Sequence, residues 1–382
     1  MRSEIRRKYM IQRQLKSIIG DRLWQGKAII LFGARQVGKT TLLRELLSSR
    51  QDVLWLNGDE QDVRSLLEKA SSTLLRAVIG KNSLVVIDEA QRITDIGIAI
   101  KLITDQIPGV QVLATGSSSF DLSNQINEPL TGRKLEYRMY PLSFGELVAH
   151  HGLLEEKRML LHRLVYGSYP DVVSRVGDER VILTELADSY LYKDILTFDK
   201  IKKSERLVKL LQALAFQVGS EVSYNELAQT CGLDAKTVER YITLLEQSYI
   251  IFRLGSFSRN LRNELKFSRK IYFWDCGIRN AVLGNYQLSE HRLDIGALFE
   301  NYMVSERLKK LSYDKSHAQS YFWRSKQKQE IDYIEEIDGQ LSAVEFKWNP
   351  TKRASVPLSF ARSYPDAVFQ VLTSDHYEDF LL

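Results

Sequence analysis

The eight residues Gly33-Ala34-Arg35-Gln36-Val37-Gly38-Lys39-Thr40 lie between the apolar run Ala28–Phe32 and a helical pattern that begins at Thr41. They match G-x-x-x-x-G-K-[ST] in the strand–turn–helix context that a phosphate-binding loop requires. The glycines let backbone N–H groups surround phosphate oxygens, Lys39 reaches the β and γ oxygens, and the Thr40 hydroxyl coordinates magnesium. We therefore predict that residues 33–41 bind ATP with Mg²⁺.

A second apolar run, Leu84–Ile87, ends in the acidic pair Asp88-Glu89. A hydrolytic site needs a carboxylate for the magnesium shell and a second one that orients and deprotonates the attacking water. We assign the first role to Asp88 and the second to Glu89. The alternative is a buried strand that ends in a charged turn.

Three further residues are candidates for the phosphate site. Thr115, in the loop Ala114–Ser119, is placed to sense the γ-phosphate, as is Ser117, although serine and threonine also cap ordinary loops. Arg133 is a candidate arginine finger, acting in cis or across a subunit boundary. An ordinary surface arginine is the competing interpretation.

Five short apolar runs alternate with helical patterns over the first 140 residues, which predicts a parallel α/β sheet. The pattern then turns helical to about Gln217, and strands return after about Ala297. We predict an ATPase domain at 1–142, a helical lid and winged helix at 143–290, and a small α/β domain at 291–382. The five runs are Ala28–Phe32, Val53–Leu56, Leu84–Ile87, Val110–Leu113 and Leu135–Met139.

Composition narrows the class of protein. The chain has 382 residues, a net charge of +5 and two cysteines, Cys231 and Cys276, which we expect in the core. No run approaches the roughly 20 apolar residues of a membrane span, and the basic N-terminus lacks an apolar signal core, so we expect a cytoplasmic protein. The basic clusters at 2–16, 200–209, 259–270 and 307–328 suggest nucleic acid, DNA rather than RNA, as a partner.

Several motifs together resemble a prokaryotic family that combines an AAA+-like ATPase, a winged helix and a C-terminal domain similar to PD-(D/E)xK nucleases. The resemblance covers most of the chain. The resemblance indicates the domain architecture rather than the function, because the cellular role of that family is largely unassigned. The motifs are Gly33–Thr40, Thr115–Ser119, Tyr140–Glu146, Tyr166–Pro170 and Tyr272–Asp275.

A helix-turn-helix is predicted between Ser223 and Gln247. Ser223-Tyr-Asn-Glu226 is a capping box, Gly232 breaks the helix, and Ala235–Gln247 has an apolar face opposite a polar one. The run Ile250–Leu254 and the basic stretch 259–270 would form the wing. The polar face is not strongly basic, so the alternatives of DNA contact and a packing role both stay open.

The dipeptide Asp338-Gly339 predicts a two-residue hairpin turn. Counting outward from it puts Asp332 opposite Glu345 on one face, where two carboxylates repel unless a cation joins them. A metal held by Asp332 and Glu345, with Glu300 as a further ligand and Lys347 positioning a water, is the nuclease-like arrangement. The alternative is a domain that keeps the shape without the chemistry.

Three functions fit the sequence. The first is an ATPase whose hydrolysis drives engagement of nucleic acid, with a metal-dependent nuclease domain. The second is a regulatory switch in which ATP occupancy changes contacts within the chain, and the third is a partner-binding protein with an inert nuclease-like domain. Glu89 favours the first, and the oligomeric state stays open. We expect the adenine base to lie near the N-terminal helix around Tyr9–Ile19.

Overall fold

The computed structural model describes residues 11–117, 126, 130–188, 204–258 and 269–382. Within these ranges, Met1–Pro141 with Gln247–Tyr249 forms one compact unit, and Leu142–Glu246 with Ile250–Leu382 forms a second. Tyr9 and Met10, Ser118 and Ser119, and most of the predicted wing (259–268) lie outside the described residues. None of the described helices is long and apolar enough to cross a membrane.

The first unit is built on a parallel sheet of five strands in the order β2-β3-β4-β1-β5. All five predicted strands are confirmed, and every predicted end lies within three residues of the observed one. The elements are α1 (Leu15–Gly20), β1 (Ala28–Gly33), α2 (Lys39–Leu46), β2 (Val53–Asn57), α3 (Gln61–Glu68), α4 (Ser72–Ile79), β3 (Leu84–Asp88), α5 (Ile96–Gln106), β4 (Gln111–Gly116) and β5 (Lys134–Met139).

The central strands are buried on both faces, as their continuous apolar runs require. Every residue of β1 and β4 is buried, and β3 is buried from Leu84 to Ile87. Because all strands run in the same direction, the residues that follow β1, β3 and β4 meet at the carboxyl edge of the sheet. The loop after β1, the acids after β3 and Thr115 near the end of β4 are therefore neighbours.

The second unit begins with helices, as predicted for residues 143–217. They are followed by a helix–strand–helix–helix–strand–strand segment that ends at β8. The elements up to β8 are α6 (Phe144–His151), α7 (Leu153–Arg158), α8 (Leu160–Tyr166), α9 (Pro170–Ser174), α10 (Glu179–Leu186), α11 (Ser204–Phe216), β6 (Glu221–Val222), α12 (Tyr224–Cys231), α13 (Ala235–Gln247), β7 (Ile251–Ser256) and β8 (Arg269–Phe273).

Both helices of the predicted helix-turn-helix are present with the predicted polarity. The Ser223 hydroxyl accepts the N–H of Glu226 at the start of α12, and Gly232 ends that helix in the left-handed conformation. On α13, the predicted apolar face of Val238, Tyr241, Ile242 and Leu245 is buried. Cys231 and Cys276 are also buried, as expected.

One mixed sheet of seven strands, in the order β12-β11-β10-β9-β7-β8-β6, runs through the second unit. Strand β7 pairs in parallel with β9 through Gly255 with Tyr321 and Ser256 with Phe322. The sequence suggested a domain boundary at 290/291, but strands from both sides of it share this sheet; the three-domain division stays a prediction. The remaining elements are α14 (Cys276–Leu283), α15 (Ile295–Tyr313), β9 (Gln319–Arg324), β10 (Glu330–Ile337), β11 (Gln340–Lys347), α16 (Leu358–Ser363), β12 (Val368–Thr373) and α17 (Glu378–Leu381).

The hairpin register predicted from Asp338-Gly339 is confirmed. Ile337 pairs with Gln340, and the ladder continues to Tyr333 opposite Val344. Asp338 and Gly339 both have positive φ, 51° and 83°, the backbone of a tight two-residue turn.

Two of the motifs behind the family resemblance meet at a buried junction of the second unit. The carboxylate of Asp275 accepts the N–H of Ser168 at 2.7 Å and caps α14 by accepting the N–H of Ile278. Gly277 lies against the carbonyl of Tyr166, where an added Cβ would be 2.2 Å from the oxygen. Burial raises the pKa of Asp275. These motifs are structural in this unit.

This close approach makes a prediction about two glycines that each occupy the second position of a helix. Gly277→Ala should lower the free energy of unfolding by about 1–3 kcal/mol, because the new methyl group collides with backbone that cannot move away. Gly296→Ala, at the start of α15 with open space around it, should leave stability equal or higher. Urea unfolding of the two variants measures the difference, and equal midpoints would contradict the packing described.

Candidate nucleotide site

The loop between β1 and α2 curls around the ammonium of Lys39. Lys39 is buried, and its Nζ donates to the carbonyl oxygens of Gly33 at 2.9 Å and Ala34 at 2.8 Å. Gly38 has φ = 96° and Gln36 has φ = 59°, so the backbone turns sharply before the helix. Gly38 caps α2 without a side chain, which leaves the helix N-terminus facing the loop. This arrangement fits a bound phosphate group.

Asp88 joins the loop to the neighbouring strands. Its Oδ2 accepts the hydroxyl of Thr40 at 2.8 Å, and its Oδ1 accepts the hydroxyl of Thr115. The oxygens of Asp88 and Thr40 are of the type that Mg²⁺ prefers. The structure thus brings together both predicted magnesium ligands and the predicted sensor Thr115.

Glu89 lies beside this group in a constrained backbone. Its φ is 51°, and its N–H donates to Thr115 Oγ1 at 3.1 Å. The carboxylate accepts the Nε2 of Gln91 at 2.5 Å, and the same nitrogen donates to Ser117 Oγ at 2.8 Å. Gln91 is buried, and its Oε1 has no partner. A buried acceptor next to the predicted base is suited to hold a water.

Sequence reasoning missed two residues at this site. Arg13 is buried and donates to the carbonyl oxygens of Val37 and Tyr140, both at 2.6 Å, so it fixes the loop from outside. No local pattern reveals a contact between such distant positions. Gln91 carried a weaker signal, since it is a polar residue directly after the acidic pair.

Arg133 does not lie at this site within its own chain. It directly precedes β5, and its carbonyl accepts the N–H of Ala28 at the start of β1. The six residues of β1 separate it from the loop, on the order of 20 Å at about 3.3 Å per residue. Its guanidinium pairs instead with Asp105 at 2.7 Å. The interpretation as a finger acting in cis is therefore wrong, and a role across a subunit boundary stays a prediction.

A cavity of about 500 Å³ opens beside Asp88, at the carboxyl end of β2. Trp55, Asn57 and Glu60 line one part of it, and Arg44, whose guanidinium lies 5.8 Å from the centroid of the Trp55 ring, lines another. The first unit therefore has room for a ligand next to its acidic strand.

The C-terminal carboxylates are brought together, but with lysines between them. Glu300 and Asp332 both pair with Lys270, and Glu345 pairs with Lys347 at 2.6 Å. Burial and then the charge of Glu300 raise the pKa of Asp332 well above its usual range. Burial alone would lower the pKa of Lys270, but the neighbouring carboxylates outweigh it and raise that pKa.

These residues do not fit a metal ion. Across the described ranges, no group of three or more His, Cys, Asp or Glu side chains is arranged to hold one. The carboxylates of Glu300 and Asp332 face the ammonium of Lys270 instead. The Lys270 side chain is 1% exposed and is already paired with both acids. We therefore assign no chemical step to a metal at this cluster.

Comparison with protein families agrees with the geometry of the first unit. An AAA-domain model matches residues 25–148, and two domains of unknown function match residues 157–289 (DUF8612) and 295–380 (DUF4143). The first unit carries an AAA-type, ATPase-like fold. The residues predicted to bind nucleotide, from Gly33 to Thr115, lie inside 25–148. Lys270 lies inside 157–289, and the carboxylates around it lie inside 295–380.

Relatives and solved structures extend along most of the chain. An uncharacterised protein of Mycobacterium tuberculosis is 26% identical over 350 residues, 91% of this chain and 74% of that protein. An uncharacterised protein of Methanocaldococcus jannaschii is 23% identical over 336 residues, which is 82% of this chain and 73% of that protein. The Walker-type ATPase of Pyrococcus abyssi is similar over 72% of this chain and 96% of its own, with 16% identity and a TM-score of 0.48.

The hydrogen bonds of Thr115 make a prediction about the site. Thr115→Val keeps the shape but leaves the N–H of Glu89 unpaired and releases Asp88, so the stabilisation of the protein by Mg²⁺-ATP should fall by about 1–3 kcal/mol. Thr104→Val on α5, where the hydroxyl only bonds Ile100 O, is the matched control. Thermal unfolding with and without Mg²⁺-ATP compares them. Full stabilisation of Thr115→Val by the nucleotide would contradict the assignment.

Proposed function

We propose that this protein is a Mg²⁺-dependent ATPase whose hydrolysis is coupled to nucleic acid. The observation that carries the first part is the convergence of Lys39, Thr40, Asp88, Glu89 and Thr115 at one edge of the parallel sheet. A binding site for ATP needs only the loop and the magnesium acid. The additional carboxylate of Glu89, held by Gln91, is what a hydrolase requires.

In this proposal each residue has a separate task. Lys39 and the loop N–H groups would hold the phosphates, and Thr40 with Asp88 would hold magnesium, whose charge would offset the negative charge that develops on the phosphate oxygens. Glu89 accepts a proton from water as the water oxygen bonds the γ-phosphorus and the bond to ADP breaks. Gln91 and Ser117 keep the Glu89 carboxylate in place. A cytoplasmic location belongs to the same proposal.

We assign a winged helix to the second unit, and this assignment supports the nucleic-acid part of the proposal. The order α11-β6-α12-α13-β7-β8, with β8 paired to both β6 and β7, is the order of elements in that fold. The exposed face of α13 carries Lys236 and Arg240, together with Glu239. Two cations on the second helix of a helix-turn-helix are suited to phosphate contact, while one acid limits the total charge.

The role of Glu89 separates hydrolysis from binding. Glu89→Gln cannot accept the proton, so turnover should fall by roughly 100-fold or more while ATP affinity stays the same. Lys39→Ala should lose binding as well, because it removes the loop cation. Phosphate release measures turnover and calorimetry measures ATP affinity. Glu68→Gln, which changes an exposed acid in the same way, is the control. Unchanged turnover in Glu89→Gln refutes this role, and ATP binding without turnover in the parent protein favours the regulatory switch.

The face of α13 gives a second test. Replacing Lys236 and Arg240 by alanine should weaken binding to duplex DNA and reduce the slope of log affinity against log salt by about 1.8, since each phosphate contact contributes about 0.9. The same two-charge change at Lys81 and Lys101, both exposed in the first unit, is the control. Fluorescence anisotropy across a salt series reads out the difference. Equal slopes would mean that α13 packs rather than binds.

A further inference from the structure

Lys270 is a fully buried cation at the centre of the C-terminal carboxylates. It lies on β8, its side chain is 1% exposed, and its Nζ is 2.9 Å from Glu300 Oε1 and 2.5 Å from Glu330 Oε1. Asp332 Oδ1 is 3.9 Å away. Three carboxylates from α15 and β10 thus converge on one ammonium group.

The carboxylates around this ammonium also have hydrogen-bond or charge partners of their own. The Tyr272 hydroxyl donates to Glu300 Oε1 at 2.7 Å, and the N–H of Phe346 donates to Asp332 Oδ2 at 2.9 Å. The Phe322 ring lies with its centroid 5.5 Å from Lys270 Nζ. Glu345, the fourth carboxylate, has its own cation in Lys347. Each acid predicted to bind metal is already paired or hydrogen bonded within the chain.

We propose that the ammonium of Lys270 is the resident cation of this cluster and takes the place of a divalent metal. Carboxylates this close repel one another unless a positive charge joins them, and Lys270 supplies that charge permanently. A Mg²⁺ ion would need oxygen ligands at about 2.0–2.1 Å, and it would have to enter beside an ammonium that repels it. The cluster therefore joins β8 to α15 and β10 without catalysing phosphodiester cleavage.

Removal of Lys270 tests this proposal in the full chain without nucleotide. Lys270→Met leaves the carboxylates without their cation, so the variant should melt lower than the parent and gain about 2–4 °C or more from millimolar Mn²⁺. The parent protein should show no such gain. Lys309→Met is the matched control, because Lys309 is also 1% exposed and paired with one acid, Glu306, at 2.7 Å. It should be destabilised and stay indifferent to Mn²⁺.

A second variant decides the matter if Lys270→Met does not fold. Asp332→Asn keeps an oxygen for the N–H of Phe346 and removes one ionisable group from the crowded cluster. It should be as stable as the parent or more stable, and both should be indifferent to Mn²⁺. A Mn²⁺-dependent rise in the melting temperature of the parent that Asp332→Asn abolishes would overturn the proposal, as would Mn²⁺-dependent nuclease activity lost in that variant.

Discussion

The two oxygens of the Asp88 carboxylate each accept a hydroxyl from a different segment, Thr40 at the start of α2 and Thr115 near the end of β4. This interaction depends on the parallel order of the strands, which puts the carboxyl ends of β1, β3 and β4 at one edge. It fixes the first turn of α2, and with it Lys39. It also fixes the backbone of Glu89 through Thr115. Asp88 thus connects the phosphate-binding loop to the strand that ends directly before Glu89.

The second unit follows a related rule, since charges buried in protein must be compensated. Arg163 pairs with Glu156 through two hydrogen bonds of 2.9 Å, and Lys309 pairs with Glu306. Lys270 among its carboxylates belongs to the same class of interaction. Glu300 and Asp332, which the sequence suggested as metal ligands, are in this unit charged groups that join helices and strands.

Local patterns predicted what depends on local physics. The strand–loop–helix around Lys39, the helix caps at Ser223 and Gly232, and the hairpin at Asp338 all follow from backbone preferences of neighbouring residues. Contacts between distant segments were not predictable in this way. Arg13 reaches Val37 and Tyr140, and Arg133 lies at the far edge of the sheet because strand direction, rather than spacing, decides its position. The register argument predicted the hairpin ladder as far as Tyr333 opposite Val344, but it had no means to anticipate Lys270, which lies on another strand.

The parallel pairing of β7 with β9 has a consequence for synthesis of the chain. At Gly255 and Ser256, the edge of β7 that pairs with β9 lacks its partner strand until Gln319–Arg324 has left the ribosome. Ile251, Phe252 and Leu254 of β7 are buried in the finished unit, so the nascent chain exposes apolar side chains beside an unpaired strand edge throughout that interval. Such intermediates aggregate readily. The second unit is therefore most prone to aggregate in the interval before β9 is synthesised.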